Sequence, residues 1–161
     1  MPIEETIAEH LRQRGWYLAL AETTTGGLIA TRLVRLAGSS AYFDRSVVAY
    51  SKASKIQGLG MDPDVLEQGG AVSIETAQAM AEGLRRLSQV DIVLAETGLA
   101  GPIRGRSPKP LGLACFALCT PTGTYTEERQ FSGDRQTIQA AIAEHALSMI
   151  AHYLTTQAPG D

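Results

Sequence analysis

Three segments of this chain hold the residue types of a hydrolytic site. Glu22-Thr23-Thr24-Thr25-Gly26-Gly27 runs from an apolar stretch, Tyr17–Ala21, into a helical pattern through Leu28, Leu33 and Leu36. Unpaired amides at such a turn can hold an anion or a developing oxyanion, and glycines let the backbone approach closely. Each threonine hydroxyl can serve as nucleophile, cap or substrate contact. The same residues also read as a Thr25 cap followed by two permissive glycines. Tyr50-Ser51-Lys52-Ala53-Ser54-Lys55 offers a phenol and two amines. A lysine acts as a base near neutrality only if burial or a neighbouring cation lowers its proton affinity, and each unit of depression costs about 1.4 kcal/mol. Without that, both lysines are solvated on a short helix. Thr97 to Pro110 joins glycines at 98, 101 and 105 to three cations, Arg104, Arg106 and Lys109. That mixture suits a phosphate or carboxylate ligand, and it equally describes a solvated loop.

Other devices are missing. There is no Gly-x-x-x-x-Gly-Lys-Ser/Thr run and no Gly-x-Gly-x-x-Gly fingerprint, so nucleotide binding by those routes has no support. His10, His145 and His152 all fall on the terminal helical patterns. The last two are seven apart, about 10.5 Å along a helix, too far to share an ion. No metal site is expected, and His145, near the apolar stripe of the last helix, reads as a satisfied core histidine. No histidine neighbours a candidate nucleophile, so a Ser-His-Asp triad is unsupported.

The elements that must position these segments follow from periodicity. Ile3, Ile7, Ala8 and Leu11 make one face of a first helix, stopped by Gly15. Strands are read at 17–21, 46–50 and 90–95, with helices at 51–59, after Pro63, and from the Ser73 cap to about Leu87. Leu111–Cys119 and Thr124–Phe131 flank Pro121-Thr122-Gly123 as a hairpin, and a long helix runs from about Asp134 to Leu154. Early β/α alternation and a late hairpin predict a three-layer α/β/α sandwich with a mixed, mostly parallel sheet carrying an antiparallel edge. Ligands of such sheets bind outside the carboxyl ends of the strands, which is where the three segments leave.

The chain's 161 residues fit one domain, 1–161, with a core of about 5–155 and a tail at 156–161. Hydrophobic residues at 44% and charged residues at 19% are ordinary for a globular domain. Fourteen Lys and Arg against seventeen Asp and Glu leave a net charge of −3, which disfavours duplex nucleic acid as a partner. The acidic start carries no signal-peptide pattern and no apolar run reaches a membrane span, so a cytoplasmic protein is expected. Cys115 and Cys119, four apart on one strand, lie roughly 13 Å apart, beyond disulfide reach.

Several blocks together resemble one family: Ala21-Glu22-Thr23-Thr24-Thr25-Gly26-Gly27, Val47-Val48-Ala49-Tyr50-Ser51, Lys55, Gly70-Ala71-Val72-Ser73, Thr97-Gly98-Leu99-Ala100-Gly101-Pro102, Lys109-Pro110-Leu111-Gly112 and Phe131-Ser132-Gly133-Asp134-Arg135. In order and in register, they resemble the CinA C-terminal domain family over nearly the whole chain. The resemblance implies nicotinamide-nucleotide amidase activity: hydrolysis of nicotinamide mononucleotide to nicotinate mononucleotide and ammonia, with no cofactor. The family's serine nucleophile corresponds to Thr23, its lysine base to Lys55 and its tyrosine to Tyr50. Substrate contacts are then expected from Thr25, Gly26, Gly27, Thr97, Gly98, Gly101, Arg104 and Arg106, the amides near Gly26-Gly27 serving the oxyanion and the two arginines the phosphate.

The chain departs from the family pattern at particular positions. Thr23 replaces serine, and its methyl restricts χ1 and crowds the approach. Thr24 stands in place of cysteine, Lys52 in place of asparagine, and Glu96 in place of an apolar residue; Ile103-Arg104 interrupts a more glycine-rich loop. Lys52 can lower the proton affinity of Lys55, and Glu96 acts in the opposite direction. Two further readings follow: a catalytically silent member that binds a nucleotide for regulation, and an interaction module without a small-molecule site. DNA-directed roles linked to competence or damage find no electrostatic support. The stripe on the last helix and the late strands leave a homo-oligomer open.

Overall fold

The computed structural model describes residues 1–158. The elements run α1 (Ile3–Arg14), β1 (Leu18–Glu22), α2 (Leu28–Val34), a short 3-10 turn (Ser39–Ala41), β2 (Phe43–Val48), α3 (Lys52–Leu59), α4 (Pro63–Gly69), α5 (Ile74–Ser88), β3 (Ile92–Gly98), β4 (Leu113–Thr120), β5 (Gly123–Gln130) and α6 (Arg135–Thr156). The sheet order is β2-β1-β3-β4-β5; β1 pairs parallel with β2 and β3, while β3–β4 and β4–β5 are antiparallel. Only β4 therefore opposes the common direction. The expected α/β/α sandwich with a mixed sheet is what the chain forms.

Strand alternation builds two cores. Leu18, Leu20, Ile92, Leu94, Phe116 and Leu118 face α1, α2 and α6, where Ile7, Leu11, Leu33, Ile142 and Leu147 meet them. The opposite face offers smaller side chains, Ala19, Ala21, Val93, Ala95, Cys115 and Ala117, against Ala77, Met80, Ala81 and Leu84 of α5. The small residues let α5 lie close to the sheet. α5 also meets α3 closely, since a Cβ built at Gly83 would stand 2.0 Å from the Leu59 carbonyl oxygen.

Caps fix the helix starts that border the site. The Ser73 hydroxyl accepts from the Thr76 amide at 3.0 Å, and the Asp134 carboxylate accepts from the Thr137 amide at 2.8 Å. Ser51 caps α3 by accepting from Ser54 N. α2 is different: its cap position is Gly27, with no side-chain cap of its own.

Several boundaries differ from expectation, among them that of β3, which runs on through Glu96 and Thr97 to Gly98. β2 begins at Phe43 and ends at Val48, because backbone pairing with β1 recruits the polar Asp44 and Arg45 that mask a strand in the sequence. α6 continues to Thr156, two residues past Leu154, so the expected tail begins inside a helix; positions 159–161 lie outside the described residues. Cys115 and Cys119 are buried and free on β4. His145 is half-buried, its Nε2 2.8 Å from Glu127 Oε2 and its ring 4.7 Å from that of Phe116.

Candidate active site

The parallel order β2-β1-β3 sends the segments after all three strands to one edge of the sheet. There Thr23, Thr24, Tyr50, Lys55, Thr97, Gly98 and Arg104 line a cavity of about 280 Å³, together with Ala71, Val72, Leu99, Ala100, Ile103, Gly105 and Arg135. The three polar segments thus meet. Thr25, Gly26, Gly27 and Gly101 do not line this cavity, and Arg106 lines a neighbouring one of about 560 Å³ with Lys109. The two cavities share Ala71, Val72, Leu99, Arg104 and Gly105, so Arg104 stands in the wall between them.

Lys55 is 1% exposed, and its ammonium forms no ion pair among the described residues. Its Nζ donates to the Tyr50 carbonyl at 3.1 Å. Burial lowers the proton affinity of Lys55, an effect that a negative charge on Glu96 would oppose. Lys52 contributes nothing to this shift: it reaches outward to Glu67 at 3.5 Å, with both side chains exposed. The lowering comes from burial and not from a second cation. Tyr50 meets Lys55 through its main chain. Its backbone carbonyl holds Lys55, while its phenol, on a largely exposed side chain, accepts from Arg135 Nη2 at 3.1 Å.

The Thr23 hydroxyl is buried and donates to the Ala49 carbonyl at 2.8 Å. The Thr24 hydroxyl is buried without a hydrogen-bond partner among the described residues. Thr97 donates its hydroxyl to Ala71 O at 2.6 Å, which ties β3 to the start of α5.

The amides of the 22–27 turn are mostly occupied. Those of Thr23, Thr24 and Thr25 donate to Glu96 at 2.7, 3.2 and 2.9 Å. Those of Gly27, Ile29 and Ala30 donate to Glu22 at 3.2, 2.9 and 3.3 Å. The carboxylate at the end of β1, not Thr25, therefore caps α2. Of the amides at 23–27, Gly26 N alone has no partner among the described residues. Two fully buried glutamates thus fill the positions where an incoming anion would otherwise be bound.

Sequence reasoning missed Arg135 and Glu22 as site residues. Arg135 opens α6 behind its Asp134 cap, donating to Gly101 O at 2.8 Å as well as to Tyr50. The Phe131–Arg135 block held the signal, because a cap followed by arginine puts a cation at a helix start facing whatever lies before it. Glu22 could have been flagged by parity: Leu18, Leu20 and Glu22 share one strand face, and so do Ile92, Leu94 and Glu96.

Residues 1–154 match the CinA C-terminal domain family. The chain belongs to that family. It is 44% identical over 153 residues to a CinA-like protein of Syntrophobacter fumaroxidans, spanning 95% of this chain and 36% of that one. A CinA-like protein of Geobacter metallireducens is 43% identical over 152 residues, spanning 94% of this chain and 37% of that protein. The chain thus spans little more than a third of the length of these relatives. Among solved structures, the competence damage-inducible protein A of Klebsiella pneumoniae superposes with a TM-score of 0.92 at 33% identity, covering 97% of each chain. The competence/damage inducible protein CihA of Agrobacterium tumefaciens gives a TM-score of 0.88 at 36% identity and covers 96% of each. Among the described residues, no helix is long and apolar enough to cross a membrane.

Proposed function

We propose that this CinA-family chain is an amidohydrolase that converts the carboxamide of nicotinamide mononucleotide, or a related pyridine ribotide, to the carboxylate. The observation that supports it most is a threonine hydroxyl and a buried, uncompensated lysine amine on the wall of one cavity that also presents Arg104 and Arg135. The Lys55 amine, its proton affinity lowered by burial, serves as the base in this reading, and the arginines suit a phosphate.

In this reading Thr23 Oγ1 attacks the carboxamide carbon as its proton passes to the Lys55 amine. The tetrahedral intermediate collapses when Lys55 returns the proton to the leaving nitrogen, releasing ammonia and leaving an ester on Thr23. Water, deprotonated by Lys55, then adds to the ester, and the nicotinate mononucleotide leaves as Thr23 regains its proton. Gly26 N is the turn amide left to meet an oxyanion, since its neighbours serve Glu22 and Glu96.

The test is ammonia release from nicotinamide mononucleotide by purified protein. Turnover that Thr23→Ala abolishes and Thr23→Ser retains or raises supports the reading. Equal turnover in Thr23→Ala removes Thr23 as nucleophile. One observation favours the silent-binder reading: the Thr23 hydroxyl is already committed to Ala49 O. Tight nucleotide binding by calorimetry without turnover, with activity appearing only in Thr23→Ser, decides for that alternative.

A further inference from the structure

Glu22, the last residue of β1, and Glu96, inside β3, lie on the same face of the sheet, each one residue beyond the paired Ala21 and Ala95. Both are 0% exposed, and no basic side chain among the described residues forms an ion pair with either. Between them stands the Thr25 hydroxyl, 2.7 Å from Glu22 Oε1 and 2.8 Å from Glu96 Oε1. A hydroxyl has one proton to donate, and ionised carboxylates only accept. Both contacts are hydrogen bonds only if one of the carboxyls is protonated. Two unpaired buried negative charges across one oxygen are also costly enough to hold a proton between them.

The surroundings say which carboxyl holds it. Glu22 has four donors besides Thr25: the Gly27, Ile29 and Ala30 amides at the start of α2 and the Ser46 hydroxyl at 2.7 Å. That is the environment of an ionised carboxylate. Glu96 has one donor fewer: the Thr23 and Thr25 amides reach Oε1, the oxygen that also meets Thr25 Oγ1, at 2.7 and 2.9 Å, and the Thr24 amide reaches Oε2 at 3.2 Å. The titratable groups around it are Glu22 on β1 and Lys55 on α3; opposite it on β4 is Phe116, and α6 contributes Gln139, bonded to Thr24 O. None of these is a cation held against it.

We propose that Glu96 is a positioning residue kept as the neutral acid, so that the buried Glu22–Thr25–Glu96 chain carries one proton and one negative charge. Glu96 donates to Thr25 Oγ1, which donates to Glu22 Oε1, while the Glu96 carboxyl oxygens hold the amides of Thr23 to Thr25 in place. Burial first, then the Glu22 charge, raise the proton affinity of Glu96 and outweigh the lowering by the Thr25 and Thr23 bonds. A neutral Glu96 fixes the backbone of Thr23 without placing a full negative charge near Lys55, which would otherwise favour the ammonium.

The proton is tested without reference to activity. Infrared spectra of the wild type at pH 7 are expected to contain a carboxylic-acid carbonyl band that Glu96→Gln lacks; superimposable spectra in that region overturn the proposal. In wild-type protein carrying 13C at glutamate Cδ, one resonance is expected to stay at the protonated position at pH 7, a measurement that needs no variant. A set in which every resonance is that of a carboxylate overturns it as well. The positioning role rests on the amidase reading and has its own readout. Glu96→Ala, which frees three amides, is expected to lower kcat on the order of 10- to 100-fold. Glu96→Gln is expected to recover more turnover than Ala and to leave the acid limb of the pH profile where it is. A limb displaced to lower pH in Glu96→Gln means that a charge was removed and refutes the neutral acid. If the wild type releases no ammonia, the amidase reading fails while the infrared and NMR results still decide the proton.

Discussion

Replacing Lys55 by methionine tests the claim that its amine is uncharged. Methionine keeps an unbranched stem of similar reach in the buried site and removes the amine, together with its 3.1 Å bond to the Tyr50 carbonyl. That bond is worth about 1 kcal/mol. The opposing effect depends on pH. The folded-state pKa of Lys55 lies below its ordinary value of 10.5 because burial disfavours the ammonium. Between the two values the unfolded chain binds the extra proton, so wild-type stability rises with pH, and the gain is complete above 10.5. The methionine variant lacks this dependence. Across that window wild type gains on the variant by up to about 1.4 kcal/mol per pH unit, which at this size is roughly 3–5 °C in Tm per unit. Thermal unfolding of both proteins by circular dichroism from pH 7 to 11 measures it. In parallel, ammonia release by Lys55→Met is expected to fall by about 100-fold or more. A Tm difference that stays constant over the whole range means that the lysine is protonated in the fold as it is in water, and the base assignment falls.

Other perturbations follow from distances and charges elsewhere. Arg135→Ala removes the bonds to Gly101 O and the Tyr50 phenol, and KM for the mononucleotide is expected to rise about tenfold or more while the unphosphorylated riboside is little affected; equal losses on both substrates would deny Arg135 a phosphate role. Gly83→Ala drives a Cβ to 2.0 Å from Leu59 O and is expected to cost about 3 kcal/mol or more in urea unfolding. Gly58→Ala meets only Val47 Cγ1 at 3.4 Å inside α3 and should be neutral or stabilising by up to about 1 kcal/mol, so a loss there as large as at Gly83 would refute the close-approach argument. The Cys115 thiol is pushed up to about 11 by burial, so a disulfide reagent at pH 8 should modify it only as the protein unfolds; rapid modification of the folded protein counts against a sealed β4.

The order of elements, the hairpin, most of the caps and the family were legible because each depends on residues close in sequence. Hydrophobic period, Ser73, Asp134 and the Thr97–Pro102 block carry their meaning locally. So did the residue types of the site: a hydroxyl after Glu22, an amine at Lys55 and a cation at Arg104. Their arrangement depended on strand order and register. The sequence of Lys55 is that of a solvated helix face, and only packing that leaves it 1% exposed changes its proton affinity. The cap of α2 looked local, with Thr25 beside it, yet Glu22 holds those amides from the end of β1. Glu96 is 71 residues from Thr25, and no period in the chain places one against the other. Parallel pairing of β1 with β3 does so, putting two carboxyls on one face where a single proton must serve both. Spacing along the chain thus supplied the chemical groups, and burial and register, which are properties of the folded sheet, decided their charge and their partners.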